Sequence, residues 1–307
     1  MLGKRINSCC LLMISFFWLT ANANRVSEDV DLAVFDRNNQ TVGYLKDDKE
    51  NFVKYGCSPG ENWTVITYGW HQGLSTDWVQ PMFELFQKHR GGCVMIMLYA
   101  NDDQRYDYFG ELLPVIDSLT NSLVDYLKFI EDAGFDPANG LIFGHSVGAQ
   151  LAFKAGRRFG FQKLGRIDAC DPALQGFGDK VEFRWTDPKL AAKQVQCIHT
   201  SKRFGIAERN CHVNWNMGDC GVQQEGRQPF PMGSHDLCPH FYNSAFEHDF
   251  LPIPKPKKCQ SFREVEEWPE GFRMGYYCDM ESGVTGDLFS PTYEKYPYNE
   301  KPENNRV

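Results

Sequence analysis

One pentapeptide constrains this chain more than any other feature: Gly144-His145-Ser146-Val147-Gly148. It follows a short apolar run, Leu141–Phe143, and opens a stretch, Ala149–Phe159, with helical apolar spacing. A serine between glycines two positions away, set between a strand and a helix, marks a sharp turn that projects the hydroxyl. The glycines let strand, turn and helix approach without a Cβ clash. The helix N-terminus behind the serine offers free N–H groups and the positive end of a dipole, suited to a developing oxyanion. The chain must therefore fold so that a reactive serine stands at the carboxyl end of a strand.

The surrounding sequence supplies the rest of such a fold. Trp63–Tyr68, rich in β-branched and aromatic residues, predicts a strand, and Cys93–Tyr99 is a continuous apolar run, as expected of a strand buried on both faces. Leu164–Cys170 and Val195–His199 are two further strand candidates. Asp77–Arg90 and the Leu112–Ile130 stretch carry apolar residues three and four apart and predict helices. Strand and helix in alternation imply an α/β fold with a mostly parallel sheet. Residues 24–56 predict no strong element, and the segment from about 255 onward, rich in Pro, Tyr and Glu, predicts an irregular extension of a single domain spanning 24–307.

Charge and cysteine content narrow the setting. The formal net charge is −8, so no excess of Lys and Arg exists to neutralise nucleic-acid phosphates. Eleven cysteines are many for a reducing compartment and suggest an oxidising one or a metal site. The N-terminus favours the former. Lys4 and Arg5 precede an apolar run from Cys9 to Leu19, and Ala21-Asn22-Ala23 has the small-x-small pattern of a signal-peptidase site. The run is far shorter than the ~20 residues that span a bilayer, which favours a cleaved signal over an anchor. Residues 1–23 are thus expected to be removed and the protein secreted. No CxxC occurs, and Cys211-His212 lacks a second ligand pair, so no metal is expected. Asn39 and Asn62 head glycosylation sequons, and Asn39 has the more polar setting.

A serine nucleophile needs a histidine base and an orienting carboxylate. Asp168 and Asp171 are the acid candidates. Asp171-Pro172 falls just past strand 164–170, at the carboxyl edge where functional residues of such sheets gather, so Asp171 is preferred. Among the later histidines, His199 ends an apolar strand, and nothing local distinguishes His212 or His248. His235 and His240 share one Gly/Pro-rich loop, and spacing alone does not separate them.

Taken together, VITYGW near 65–70, GHSVGA at 144–149, RIDACDPA at 166–173, CIHT at 197–200, CHVNW at 211–215 and GSHDLCPHFY at 233–242 resemble the pancreatic-lipase family of α/β-hydrolases, in particular its secreted insect branch with yolk-protein relatives. The resemblance implies the α/β-hydrolase fold, with helices on both faces of the sheet. It implies Ser146 as nucleophile and Asp171 as acid. It selects His235 over His240, because Ser234-His235 with Phe241-Tyr242 fits the family register without a gap. Tyr68-Gly69-Trp70 matches the oxyanion loop, so the backbone amides of Trp70 and Val147 are the implied oxyanion hole. Tyr68 stands where the family has histidine. The family's calcium-binding acidic run reads LAAKQVQ here, so no calcium or other cofactor is carried over. Both the β-loop region and the lid region look short, as in phospholipase-like members.

The implied activity is hydrolysis of a lipid ester, triacylglycerol or phospholipid at sn-1, at a membrane or lipid interface. The rival is a non-catalytic lipid-binding or yolk-like storage protein. Trp70, Trp215, Met217, Phe230 and Met232 are expected either to line an acyl groove or to pack in the core. The cysteines are expected to pair as 57–93, 197–211, 220–238 and 259–278, with Cys170 a buried free thiol and the 220–238 bridge spanning the lid.

Overall fold

Continuous apolar strands with no polar face have to be covered on both sides, and the chain meets that demand with one sheet between two helical layers. A computed structural model describes residues 26–35, 41–44, 52, 54–100, 106–178, 186–227, 233–261 and 263–301. The expected signal segment 1–23 and Asn39 lie outside these residues.

The strands are β1 (Val26–Phe35), β2 (Thr41–Tyr44), β3 (Trp63–Thr67), β4 (Cys93–Ala100), β5 (Gly140–His145), β6 (Leu164–Cys170), β7 (Ala192–His199), β8 (Val213–Met217) and β9 (Gly286–Ser290). Their order in the sheet is β2-β1-β4-β3-β5-β6-β7-β8-β9. From β4 through β9 every neighbouring pair is parallel, whereas β1 joins β2 and β4 antiparallel. This is the α/β-hydrolase fold.

The helices are α1 (Val79–His89), α2 (Leu113–Asp132), α3 (Val147–Phe159) and α4 (Leu237–Ser244). Their apolar stripes drive the layering. Val79, Met82, Phe83 and Phe86 are buried on α1, and Ile116, Leu119, Leu123, Leu127 and Ile130 on α2. Alternation along β5 shows that both faces are covered. Phe143 meets Trp78, just ahead of α1, and Tyr242 of α4, with ring centroids 5.8 and 4.7 Å apart. Gly144 faces the opposite way, against α3, where a Cβ would stand 2.6 Å from the Ala149 Cα.

Two expectations from sequence patterning are corrected. Residues 24–56 contain β1 and β2, and the C-terminal segment contributes β9 to the sheet itself. The stretch 211–217 gives no strand signal either, because its strand, β8, alternates with asparagines. All five residues of β8 are buried, and Asn216 Nδ2 donates to the Leu288 carbonyl at 3.1 Å. A polar residue with a fixed partner is tolerated where an unpaired one is costly.

The disulfides are Cys57–Cys93, Cys170–Cys238, Cys197–Cys211 and Cys220–Cys259. The first and third match expectation. The 220–238 and 259–278 bridges do not form, and Cys170 is not free. Cys170 ends β6 and Cys238 opens α4, which packs on the sheet there, so these two thiols meet although 68 positions separate them. Cys278 is the free cysteine among the described residues, and burial pushes its thiol up to about 12.

Candidate active site

The turn after β5 has the strained backbone that the pentapeptide demands. Ser146 sits at φ 57° and ψ −121°, a conformation rare for a residue with a Cβ. Surrounding contacts hold it there. Ser146 N–H donates to the Cys170 carbonyl at 2.9 Å, and the Ser146 carbonyl accepts from Ala173 N–H at 3.1 Å. Thr67 Oγ1 donates towards the Phe143 and Gly148 carbonyls at 3.1 and 3.0 Å, tying β3 to both ends of the turn.

Three segments then converge. His235, in the loop before α4, places Nε2 2.7 Å from Ser146 Oγ and Nδ1 2.5 Å from Asp171 Oδ2. Ser146 and His235 are 7% and 8% exposed, and Asp171 is fully buried, so the contacts form in a largely water-excluded site. Asp171 also accepts from Thr200 N–H, Ser201 N–H and Ser201 Oγ at 2.8, 3.2 and 2.8 Å. A buried carboxylate needs several donors, and these supply them. Sequence reasoning misses Ser201. Its one signal is its place just past β7, beside the edge that carries Asp171.

Asp168 and His240 take other roles. Asp168 accepts from Arg166 Nε, Gln196 Nε2 and Tyr242 Oη at 2.8, 3.0 and 2.6 Å, a buried knot joining β6, β7 and α4. His240 lies on α4 with Nε2 3.5 Å from Asp77 Oδ1.

The loop after β3 lies against the serine. A Cβ on Gly69 would be 3.0 Å from Ser146 Cβ, so the Trp70 amide follows directly on this contact. Val147 is the first residue of α3, where backbone N–H groups have no intrahelical acceptor. Tyr68 stacks on Tyr99 with centroids 4.6 Å apart, and Tyr99 Oη donates to the Tyr68 carbonyl at 2.8 Å. The tyrosine pair fixes the loop backbone at the position where the family carries histidine.

Trp70 is 38% exposed and stacks on His71, with its indole N–H donating to the Tyr106 carbonyl at 2.8 Å. It also meets Tyr108 edge-on, and Tyr108 in turn meets the exposed Phe109. An aromatic rim thus extends from Trp70, which follows Gly69 on the loop that touches Ser146. Trp215 and Met217 are fully buried in β8 and form core, while Phe230 and Met232 lie outside the described residues. A cavity of about 500 Å³ opens elsewhere, at the starts of β5 and β6, lined by Arg90, Gly140, Gly165 and Arg166.

A family model described as Lipase matches residues 19–229, more than half of the chain. The chain belongs to the lipase family. Among its relatives, pancreatic lipase-related protein 2 of Cavia porcellus is 27% identical over 237 residues, covering 72% of this chain and 52% of that one. The Bos taurus protein of the same name is 32% identical over 188 residues, covering 50% and 39%. Pancreatic triacylglycerol lipase of Myocastor coypus is 26% identical, covering 74% and 56%. The chain spans about half the length of the curated relatives it matches. Among solved structures, the Pyrococcus furiosus esterase Pf2001 aligns with a TM-score of 0.34 at 15% identity, covering 46% of this chain and 62% of that one.

One group among the described residues brings metal-type ligand atoms together: those of His145, His235 and Asp236 lie within 4.8 Å of one another. Both His235 nitrogens are committed to Asp171 and Ser146, and His145 Nδ1 to Gln72 at 2.8 Å. That leaves too few free lone pairs to hold an ion.

Burial, reinforced at His145 by the nearby His235, holds the imidazoles of His145 and His199 well below their ordinary range. A folded value below the unfolded one means stability is full above about pH 6.5 and is lost as pH falls below it. Asp236 works the other way. Burial pushes its carboxyl up to about 6, so it costs stability as pH rises from about 4 towards that value. Asp236→Asn is therefore expected to raise Tm at mildly alkaline pH and to steepen the fall of Tm below about pH 6. Thermal melts across pH that run parallel to wild type would refute this.

Proposed function

We propose that the protein is a secreted serine carboxylic-ester hydrolase acting on lipid esters through Ser146, His235 and Asp171. The observation that carries this reading is His235, bridging Ser146 Oγ and Asp171 Oδ2 at 2.7 and 2.5 Å. In the reaction, His235 Nε2 takes the Ser146 Oγ proton as the oxygen attacks the acyl carbonyl. Asp171 accepts the Nδ1–H bond, fixes the tautomer and stabilises the imidazolium that forms. The Trp70 and Val147 amides receive the oxyanion, each worth about 3 kcal/mol. His235 then returns the proton to the leaving alcohol, and water, activated by the same imidazole, hydrolyses the acyl-enzyme.

Lipase-family membership and the aromatic rim of Trp70, Tyr108 and Phe109 favour a lipid ester at an interface over a small soluble ester. Four disulfides accord with an extracellular setting. The test is a fluorophosphonate probe. It is expected to label the folded protein and to fail on Ser146→Ala, and fatty acid released from triacylglycerol or from phospholipid then assigns the substrate. Folded wild-type protein that resists the probe would overturn the reading in favour of a non-catalytic lipid-binding protein.

A further inference from the structure

Behind the relay lies a buried amide with no part in the proton transfers. Gln72 is 9% exposed. Its Oε1 accepts from Gly69 N–H at 2.9 Å and from His145 Nδ1 at 2.8 Å, and its Nε2 donates to Asp236 Oδ1 at 3.3 Å. Each partner is one peptide bond from a working part of the site. Gly69 precedes Trp70, His145 precedes Ser146, and Asp236 follows His235. A single side chain thus reaches all three segments.

The orientation of this amide is fixed by its partners. Gly69 N–H can only donate, so the atom facing it must be Oε1, and the NH₂ group is left turned to a carboxylate. A flipped amide would set donor against donor at Gly69 and leave Oε1 against the Asp236 carboxylate, acceptor against acceptor. The main chain adds a second clamp, with Gln72 N–H donating to the Gly69 carbonyl at 3.3 Å across a turn that contains His71 at φ 58°. The space is also closed: a Cβ on Gly69 would lie 3.0 Å from Gln72 Oε1. The peptide that ends in the Trp70 amide is therefore held from the side of Gly69 by Gln72, and Gln72 is held by the neighbours of Ser146 and His235.

We propose that Gln72 is a positioning residue that locks the Trp70 amide of the oxyanion hole in register with Ser146 and His235 before substrate arrives. This rests on the ester-hydrolase reading and deepens it. Misplacing a preorganised group by about 1 Å can cost about 10²-fold in rate. The hole acts on the transition state, so the loss should appear in kcat and not in KM.

The test compares Gln72→Leu, Gln72→Met and Gln72→Glu in the full chain, with active sites counted by fluorophosphonate titration. Gln72→Leu is expected to lower kcat per active site by about 10²-fold while KM stays within about twofold. Gln72→Met keeps the length of the side chain and should behave alike, which preserves the test if the leucine variant does not fold. Gln72→Glu keeps an acceptor for Gly69 N–H but sets a second carboxylate oxygen against Asp236 Oδ1, so alone it should fail like the others. With Asp236→Asn added, whose amide can donate to it, kcat is expected to return to within about tenfold of wild type, a rescue that a merely space-filling role does not produce. A probe-reactive wild type with full kcat in Gln72→Leu or Gln72→Met would overturn this inference alone. A wild type that the probe does not label would overturn the hydrolase reading and the inference with it.

Discussion

His235→Ala is expected to lower kcat/KM for ester hydrolysis by about 10⁴- to 10⁶-fold, and His240→Ala by less than about threefold. The contrast follows from where the two imidazoles end up, five positions apart in one loop-and-helix segment. His235 Nε2 stands 2.7 Å from Ser146 Oγ, the distance at which a base can take the proton. His240 faces Asp77 at 3.5 Å on the first turn of α4. Burial lowers the His240 imidazole, which keeps it neutral at neutral pH. Steady-state kinetics on one soluble ester checks both variants. A large loss in His240→Ala with a small one in His235→Ala would reverse the assignment.

Asp171→Asn is expected to lower kcat by about 10⁴-fold with the fold intact. The reason is the donor set around the side chain. Asp171 Oδ1 accepts from the Thr200 and Ser201 amides, which can only donate. In the asparagine variant the carbonyl oxygen must stay there, so the NH₂ group turns to the Oδ2 position, facing His235 Nδ1 and Ser201 Oγ. A donor facing Nδ1 forces the histidine proton onto Nε2, which then points a hydrogen at Ser146 instead of a lone pair. The base is present in the wrong tautomer. Because the substitution is isosteric, Tm should fall far less than rate does, and a melt recorded beside the kinetics separates the two. A variant with wild-type kcat would show that Asp171 serves only to hold the 200–201 turn.

The elements that carry the serine are legible in consecutive residues. A strand, a turn with two close-approach glycines and a helix follow one another directly, and Leu164–Cys170 matches β6 residue for residue. The position of Asp171 is legible for the same reason, since an acid just past a buried strand falls at the sheet's carboxyl edge. The histidine is not: residue spacing leaves His235 and His240 equal, and only the family register separates them. Patterning fails where a strand buries polar residues. Asn214 and Asn216 look like loop residues until the carbonyls of Arg209, Cys211 and Leu288 are seen to satisfy them. The cysteines divide the same way. Bridges between neighbouring segments, 57–93 and 197–211, match the pairing expected loop by loop, while Cys170–Cys238 depends on α4 docking against the end of β6.

The one-dimensional string thus determines where a serine is set on a strained turn, because backbone strain, strand burial and helix onset depend on a few consecutive residues. It leaves open which remote groups complete the serine's surroundings. Buried donors and acceptors must find partners, and folding decides which distant segments supply them. That is how Ser201 comes to support Asp171, how Gln72 comes to join three loops, and how one of two histidines in the same stretch comes to meet the serine.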